Sequence, residues 1–386
     1  MISHSARIMA AFLLHASTVG GLFVRLPEIQ KALGISEGVY GLVLLAMPLG
    51  VLIGSVTIPR RIDRFGPRRL IVVGLAVATA LQVLIALATG PLMLAAALVA
   101  FGVFFAAGNV SVNVEANRHE AAGGRPIMSR CHGWWALGFL ATSLAAAGLL
   151  RLGVAPALQF AGHIVVMLVL LAILVLPMPD SAAVASDQSA RRFAVPGRAV
   201  LLIGGWSLAG ILMEGTTRSW IVIYLRDSFG ATEAMAALGL PAVVLTQTIV
   251  RFVGDGAIAR HGLVRVARFS SVVLAVGIAL IVLSPTVAPV LVGCLLIGAG
   301  IAITMPQAFA ASARLPGRPS AESVAAFAAL STVVNFTGPP LFGGLAEVIG
   351  LGTAFALVLP LTVVSYLLAG RLPPAGTDPR PQAPST

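Results

Sequence analysis

Charge is scarce in this chain. Only 10% of its 386 residues are Asp, Glu, Lys or Arg, and lysine occurs once, as Lys31. A soluble domain uses about 25% charged residues, so an ordinary water-soluble enzyme or scaffold is excluded. Cysteine is scarcer still. Cys131 and Cys294 fall in different halves, each within an apolar stretch, which suits neither a disulfide nor a metal site. No Gly-x-x-x-x-Gly-Lys-Ser/Thr loop occurs, so the phosphate cradle of an ATP-driven pump is missing. His-Glu-x-x-His is absent, as is any Ser, His and Asp set in a hydrolase context. Neither an enzyme nor a bound cofactor is expected. The net charge of +11 comes from 25 basic and 14 acidic residues. The arginines are scattered between apolar runs, which fits membrane topology rather than nucleic-acid binding.

Apolar length is what the chain has in excess. Hydrophobic residues make up 58% of it, and the mean hydropathy is +0.99. Runs of about 20 apolar residues cross the hydrocarbon core of a bilayer as helices. Twelve such runs are expected. The first six are 7–29, 37–58, 69–89, 91–118, 130–150 and 155–177. The second six are 198–224, 233–253, 266–284, 286–311, 322–346 and 351–371. The first run passes Gly20, Arg25 and Pro27 without a small-residue cleavage site, so it reads as a span and not as a signal peptide.

The expected fold is therefore an all-α membrane protein of twelve transmembrane helices in two six-helix bundles. The bundles cover 1–178 and 198–371, joined by a polar central loop at 179–197 and followed by a tail at 372–386. Arginines gather in alternate loops: Arg60, Arg61, Arg64, Arg68 and Arg69; Arg118, Arg125 and Arg130; Arg260, Arg265 and Arg268; Arg314 and Arg318. The opposite loops hold little beyond Lys31, Arg151 and Arg226. The positive-inside rule then puts both termini and the central loop in the cytoplasm, and the expected location is the inner membrane of a bacterium.

The halves repeat each other. Gly34-Ile35-Ser36-Glu37 precedes the second span, and Gly230-Ala231-Thr232-Glu233 precedes the eighth. The same offset of 196 carries Arg64-Phe65-Gly66 onto Arg260-His261-Gly262, and Arg69 onto Arg265. Ser36 and Thr232 suit helix N-caps, with the following glutamate favoured by the helix dipole. Parallel six-helix repeats are the architecture of one large class of alternating-access transporters.

The loop from Pro59 to Arg69 resembles the signature of the major facilitator superfamily between its second and third helices. That signature runs Gly-x-x-x-Asp-Arg-x-Gly-Arg-Arg, and here Pro59 replaces its first glycine and Pro67 interrupts the basic pair. Gly254-Asp255 with Arg260-His261-Gly262 is a weaker second copy. The resemblance covers the whole chain. A narrower one lies in Asn113-Val114-Glu115, His132-Gly133, Leu137-Gly138, Glu214-Gly215 and Gly338-Pro339-Pro340. These are similar to a bacterial branch near the fucose permeases that includes rhizopine-transporter-like proteins. It implies proton-coupled movement of a sugar-like or other small polar solute.

Polar residues inside the spans are the candidates for chemistry. Glu115 is the first choice for proton coupling. A carboxylate at membrane depth is costly as an anion, which suits a group that takes and releases a proton, and the resemblance implies that role for a glutamate in the fourth helix. The alternative is a buried ion pair with Arg118 or Arg130. His132 is a second candidate for the proton, beside the plainer role of a hydrogen-bonding helix start. Glu214, Arg218 and Trp220 could converge on a hydroxylated ring, or Glu214 and Arg218 could only neutralise each other across one turn. Asn113, Gln247, Gln307 and Asn335 could bind solute or join helices. Arg25 and Glu28 suit an outer gate or a solvated pair. Asp63, Arg64, Gly66, Arg68, Arg69, Asp255, Arg260 and Gly262 suit a charged latch that holds one facing state, or simply fix topology. Gly338-Pro339-Pro340 should break the eleventh helix.

The expected activity is secondary active transport, as proton symport of a small polar solute by a monomer in the bilayer. Proton-driven efflux of drugs or amphipathic compounds is the alternative within transport. A transport-dead sensor or scaffold is the alternative outside it.

Overall fold

The computed structural model describes residues 2–122, 127–179, 196–316 and 320–373. Twelve of its helices are long and apolar enough to cross a membrane. They are α1 (His4–Ala32), α2 (Glu37–Pro59), α3 (Pro67–Ala86), α4 (Pro91–Glu120), α5 (Arg130–Arg151) and α6 (Pro156–Val175) in the first half. In the second half they are α7 (Arg198–Phe229), α8 (Glu233–His261), α9 (Leu263–Leu283), α10 (Val287–Ala313), α11 (Glu322–Ile349) and α12 (Leu351–Ala369). No strand occurs among the described residues. The protein is an all-α membrane protein, as its apolar runs require. Two helices outrun the sequence reading: α7 continues to Phe229 and α8 to His261. Charged residues set those ends in the sequence reading, and a helix does not stop at a charge. Most of the central loop and the tail, with Arg125 and Arg318, lies outside the described residues.

Local chemistry sets the helix ends. The hydroxyls of Ser36 and Thr232 each accept the backbone N–H three residues on, Val39 and Met235, at 3.3 Å. Glu120 at the end of α4 accepts from the N–H groups of Ile127 and Met128 at 2.5 and 2.9 Å, capping the helix that leads into α5. The repeat is written most clearly in the turns. Among the described residues six glycines have positive φ: Gly34 and Gly230, Gly66 and Gly262, Gly153 and Gly350. The first two pairs lie at the offset of 196, and the third is shifted by one residue. A residue with a Cβ is strained in that conformation, so the pairs record one six-helix plan used twice.

Prolines set the interruptions. The segments Glu37–Leu44 and Ala46–Phe65 divide α2 ahead of Pro48. Glu233–Ala236 and Gly239–His261 divide α8 ahead of Pro241. Val287–Ile301 and Thr304–Ala313 divide α10 ahead of Pro306. Leu351–Ala356 and Leu359–Ala369 divide α12 ahead of Pro360. Each proline lacks the N–H that would close the bond to the carbonyl four residues back, so Leu44, Ala237, Ala302 and Ala356 lose a helical donor. The expected break at Gly338-Pro339-Pro340 does not occur. The helix Ser320–Ile349 runs through both prolines. Gly338 has no Cβ to clash with the ring that follows. Gly41 of α2 also packs against Pro339 and Pro340, where an added Cβ would lie 3.2 Å from Pro340 Cα.

By contacts the chain groups into two compact units. The first comprises 1–186, 218–244 and 339–349; the second comprises 187–217, 245–338 and 350–386. The boundary falls inside α7, between Thr217 and Arg218. Ile8, Phe12, Leu75, Val112, Cys131 and Leu171 form one core cluster in the first unit. Ile203, Trp206, Ile258, Ala308 and Phe327 belong to a cluster in the second. Small residues set the closest approach, as expected where lipid gives helices no hydrophobic drive to associate. A Cβ on Gly138 of α5 would collide with the Leu13 carbonyl of α1.

Candidate functional site

The second unit builds a polar site around Glu214. This carboxylate sits on α7, and its Oε1 accepts from Gln247 Nε2 of α8 at 3.0 Å. The Arg251 guanidinium, one turn beyond Gln247, lies 3.5 Å from the same oxygen. Its Nε also donates to the Ala302 carbonyl at 3.3 Å. That carbonyl is the one Pro306 leaves without a helical donor. A missing N–H on α10 thus supplies the acceptor that anchors Arg251, and Arg251 in turn steadies Glu214. Asn335 of α11 donates to the Ser331 carbonyl at 2.9 Å, and its Oδ1 would lie 3.9 Å from a Cβ on Gly215. Gln307 is half-buried on α10. Glu214 is therefore held by Gln247 and by Arg251, which was not singled out from the sequence, and Asn335 lies beside the neighbouring Gly215. An arginine inside the eighth apolar run, four residues after Gln247, was the available signal.

The first unit holds Glu115. It is 1% exposed, near the Glu120 end of α4, and its Oε1 lies 3.1 Å from His4 Nε2 of α1. The His4 ring packs edge-on to His119, with centroids 5.0 Å apart, and His119 Nε2 is 2.9 Å from Ser5 Oγ. His4 was not singled out from the sequence. That histidine stands ahead of the first apolar run and 111 positions from Glu115. Asn113 donates to the Asn109 carbonyl at 2.8 Å. His132 is exposed, with its ring edge-on to Phe12 at 5.5 Å.

Both repeats contribute to a third group within the first unit. Lys31 Nζ donates to Glu233 Oε1 at 2.7 Å. Arg226 donates to the Pro27 carbonyl at 2.9 Å and to Gln30 Oε1 at 3.1 Å. Both oxygens of Asp227 accept from it as well, at 2.5 and 2.8 Å. Trp220 is fully buried, edge-on to Tyr40 and tilted against Phe342, with centroids 5.4 and 5.9 Å away. Its rings are not open to a solute in this arrangement. The Arg218 guanidinium lies over the Phe139 ring, 5.7 Å from its centroid. Arg25, 1% exposed, donates to Glu28, to Gln159 and to the Val154 carbonyl at 2.6, 2.7 and 2.8 Å.

Comparison with known proteins agrees with this architecture. The Major Facilitator Superfamily profile matches residues 8–331. The chain belongs to the major facilitator superfamily. It is a multi-pass membrane transporter of that family. It is 31% identical over 360 residues to the uncharacterized transporter y4wD of Sinorhizobium fredii, covering 91% of this chain and 93% of the relative. It is 23% identical to the membrane protein MosC of Rhizobium meliloti, covering 92% of this chain and 86% of that one. A mutant of the nucleoside transporter NupG shares the fold with a TM-score of 0.76 at 13% identity, covering 96% and 99% of the two chains. The D-xylose-proton symporter gives 0.73 at 13%, covering 95% and 97%. The E. coli fucose:proton symporter FucP gives 0.60 at 17%, covering 95% and 98%.

The superfamily loop between α2 and α3 takes a defined shape here. Gly66 turns with φ 76° between the two helices. Arg68 donates to the Met178 carbonyl at 2.7 Å, just past the end of α6. Arg7 donates to the carbonyls of Ile173 and Leu174, both at 3.0 Å. A π-helical turn over Leu171–Val175 makes these late carbonyls available. Arg64 lies over the neighbouring Phe65 ring, and Arg69 is exposed. The side chain of Asp63 lies outside the described residues. On the second copy, Asp255 and Arg260 are exposed near the end of α8, and Gly262 turns with φ 80°.

Proposed function

We propose that this transporter is a proton symporter of a small, uncharged, hydroxyl-rich solute such as a sugar or polyol. The observation that carries the proton is the Glu115–His4 pair. It joins two titratable groups at 3.1 Å, with the carboxylate 1% exposed. A buried anion is costly in a membrane protein, so the pair is well placed to hold a proton and to release it. His132 is assigned a supporting part in the same proton path. The solute is assigned to Glu214, Gln247 and Asn335, with Asn113, Arg218, Trp220 and Gln307 completing its path as the protein changes state. A carboxylate steadied by an amide and a guanidinium presents fixed acceptors and donors to hydroxyl groups. Proton symport by FucP and by the D-xylose symporter, which share the fold, supports the same assignment.

The loop residues Asp63, Arg64, Gly66, Arg68 and Arg69, with Asp255, Arg260 and Gly262, are assigned to switching between facing states. Both termini and the central loop lie in the cytoplasm of a bacterium in this proposal, with the chain acting as a monomer in the inner membrane. The test is solute-driven proton entry into proteoliposomes loaded with a pH dye, across a panel of sugars, polyols and cyclitols. Acidification by one solute class is expected, and Glu115→Gln should abolish it while the protein stays folded. Normal coupling in Glu115→Gln would overturn the role of Glu115. Silence across the panel in tight vesicles, with flux of amphipathic cations instead, would overturn symport in favour of efflux.

A further inference from the structure

α6 carries a single titratable residue, His163, half-buried in its apolar length. Its Nδ1 stands 2.9 Å from Gln82 Oε1 of α3, and its Nε2 stands 3.2 Å from Ser17 Oγ of α1. The Gln82 amide is fixed in sense, because its Nε2 donates to the Thr18 carbonyl at 2.5 Å. Its Oε1 therefore faces the imidazole and can only accept, so Nδ1 carries a hydrogen. Ser17 is different, because a hydroxyl both donates and accepts. When Nε2 is bare, the Ser17 hydroxyl donates to it. When Nε2 holds a proton, it donates to Ser17 Oγ, and the hydroxyl hydrogen turns to the Leu14 carbonyl 2.7 Å away. Neither state leaves the imidazole with an unmet hydrogen bond, and one hydroxyl rotation separates them.

His15, two residues before Ser17, shows the opposite design. The Trp135 indole N–H donates to its Nδ1 at 3.0 Å, and its Nε2 lies 3.1 Å from the Phe105 carbonyl. An indole only donates and a carbonyl only accepts, so these partners hold His15 neutral with its hydrogen on Nε2. A second proton would strand the Trp135 N–H.

His163 opens on a groove of about 510 Å³, lined also by Ser17, Thr142 and Gln159 and by the apolar Leu149, Leu158 and Val166. Few charges face it. On α1, apart from His4, Arg7 and Lys31 towards its ends, the titratable groups are His15, Arg25 and Glu28. Arg25 and Glu28 are bound to each other, and Arg25 is also held by Gln159. On α3 they are Arg68 and Arg69, both in its first turn. On α5 they are Arg130, Cys131 and His132 at one end and Arg151 at the other. The site therefore receives a proton through hydrogen-bond acceptors and not through a facing carboxylate.

We propose that His163 is a proton-binding site of this transporter, filled from the groove and satisfied in both protonation states by rotation of the Ser17 hydroxyl. It is separate from Glu115 and requires no solute. The test is nuclear magnetic resonance of the full chain in nanodiscs with isotope-labelled histidine, which follows all six imidazoles, and His163→Gln identifies the signal. Above neutral pH, His163 should be neutral with its hydrogen on Nδ1, the opposite tautomer to His15. Acidification from neutral pH to about pH 3, well past the ordinary imidazole value, should convert it to the doubly protonated form ahead of His15. Ser17→Ala should move the midpoint by at least about one pH unit, a tenfold change in proton affinity. This variant also identifies the signal if His163→Gln does not fold. A neutral form with hydrogen on Nε2, a ring still neutral at about pH 3, or an unmoved midpoint in Ser17→Ala would each overturn the proposal.

Discussion

Replacing Arg251 tests how the Glu214 site is held. At 3.5 Å, two unit charges in a medium of effective dielectric about 20 attract by about 5 kcal/mol. Glu214 is 13% exposed and Arg251 31%, so solvent screens part of that attraction, and desolvating both groups cancels more. A net coupling of about 2 kcal/mol is left. Arg251→Gln should lower stability by about that amount, because Glu214 keeps the Gln247 hydrogen bond but loses its cation. Arg251→Lys should recover little. The Nε of Arg251 reaches the Ala302 carbonyl while its terminal nitrogen reaches Glu214, and a lysine ammonium is one compact head that cannot span both. The assay is unfolding in mixed SDS micelles followed by tryptophan fluorescence, applied to Glu214→Gln, Arg251→Gln and the double variant. The cycle should return about 1–3 kcal/mol of coupling. Coupling under about 0.5 kcal/mol, within ordinary additivity error, would refute the reasoning, as would full rescue by lysine.

Two further outcomes follow from backbone geometry. Gly138→Leu should prevent assembly of α1 against α5, because the new side chain meets the Leu13 carbonyl, and backbone cannot swing away as a side chain can. The cost should exceed the usual 1–3 kcal/mol of overpacking, roughly, and abolish the monodisperse peak in size-exclusion chromatography. Gly148→Leu, in open space on the same helix, should not. Pro306→Ala should restore an N–H to the Ala302 carbonyl and compete with Arg251 for it. The helix gains up to about 3 kcal/mol, so SDS resistance should hold or rise while solute affinity in equilibrium binding falls. Unchanged affinity would show that the freed carbonyl has no part in the site.

The spans were legible because an apolar run of about 20 residues has one solution in lipid. The repeat was legible from two loop matches, but Gly153 and Gly350 escaped, since a one-residue slip hides them from a fixed offset. Prolines were legible as residues but not as breaks. Pro306 interrupts its helix while Pro339 and Pro340 do not, and the difference lies in Gly338 and in the close packing of Gly41. Candidate residues were visible as polar groups in apolar runs, whereas their partners were not. His4 meets Glu115, and Ser17 and Gln82 meet His163, across separations that no local pattern encodes. Trp220 was drawn toward Glu214 by proximity along one helix, yet its rings face Tyr40 and Phe342.

The near-absence of lysine has a physical counterpart in the way the arginines are used. Arg25 binds the Val154 carbonyl together with Glu28 and Gln159. Arg226 binds the Pro27 carbonyl together with Gln30 and Asp227. Arg251 binds the Ala302 carbonyl and reaches Glu214. Each is a fork with one prong on backbone and the others on side chains, a task for five donors fixed in a plane. Lys31, the one lysine, makes a single bond to Glu233 and is 61% exposed, where a point charge suffices. Burying a cation in this bundle is tolerable only where several acceptors are already fixed. Prolines and helix ends provide carbonyls with spare capacity, and arginine is the cation whose shape can collect them along with a carboxylate.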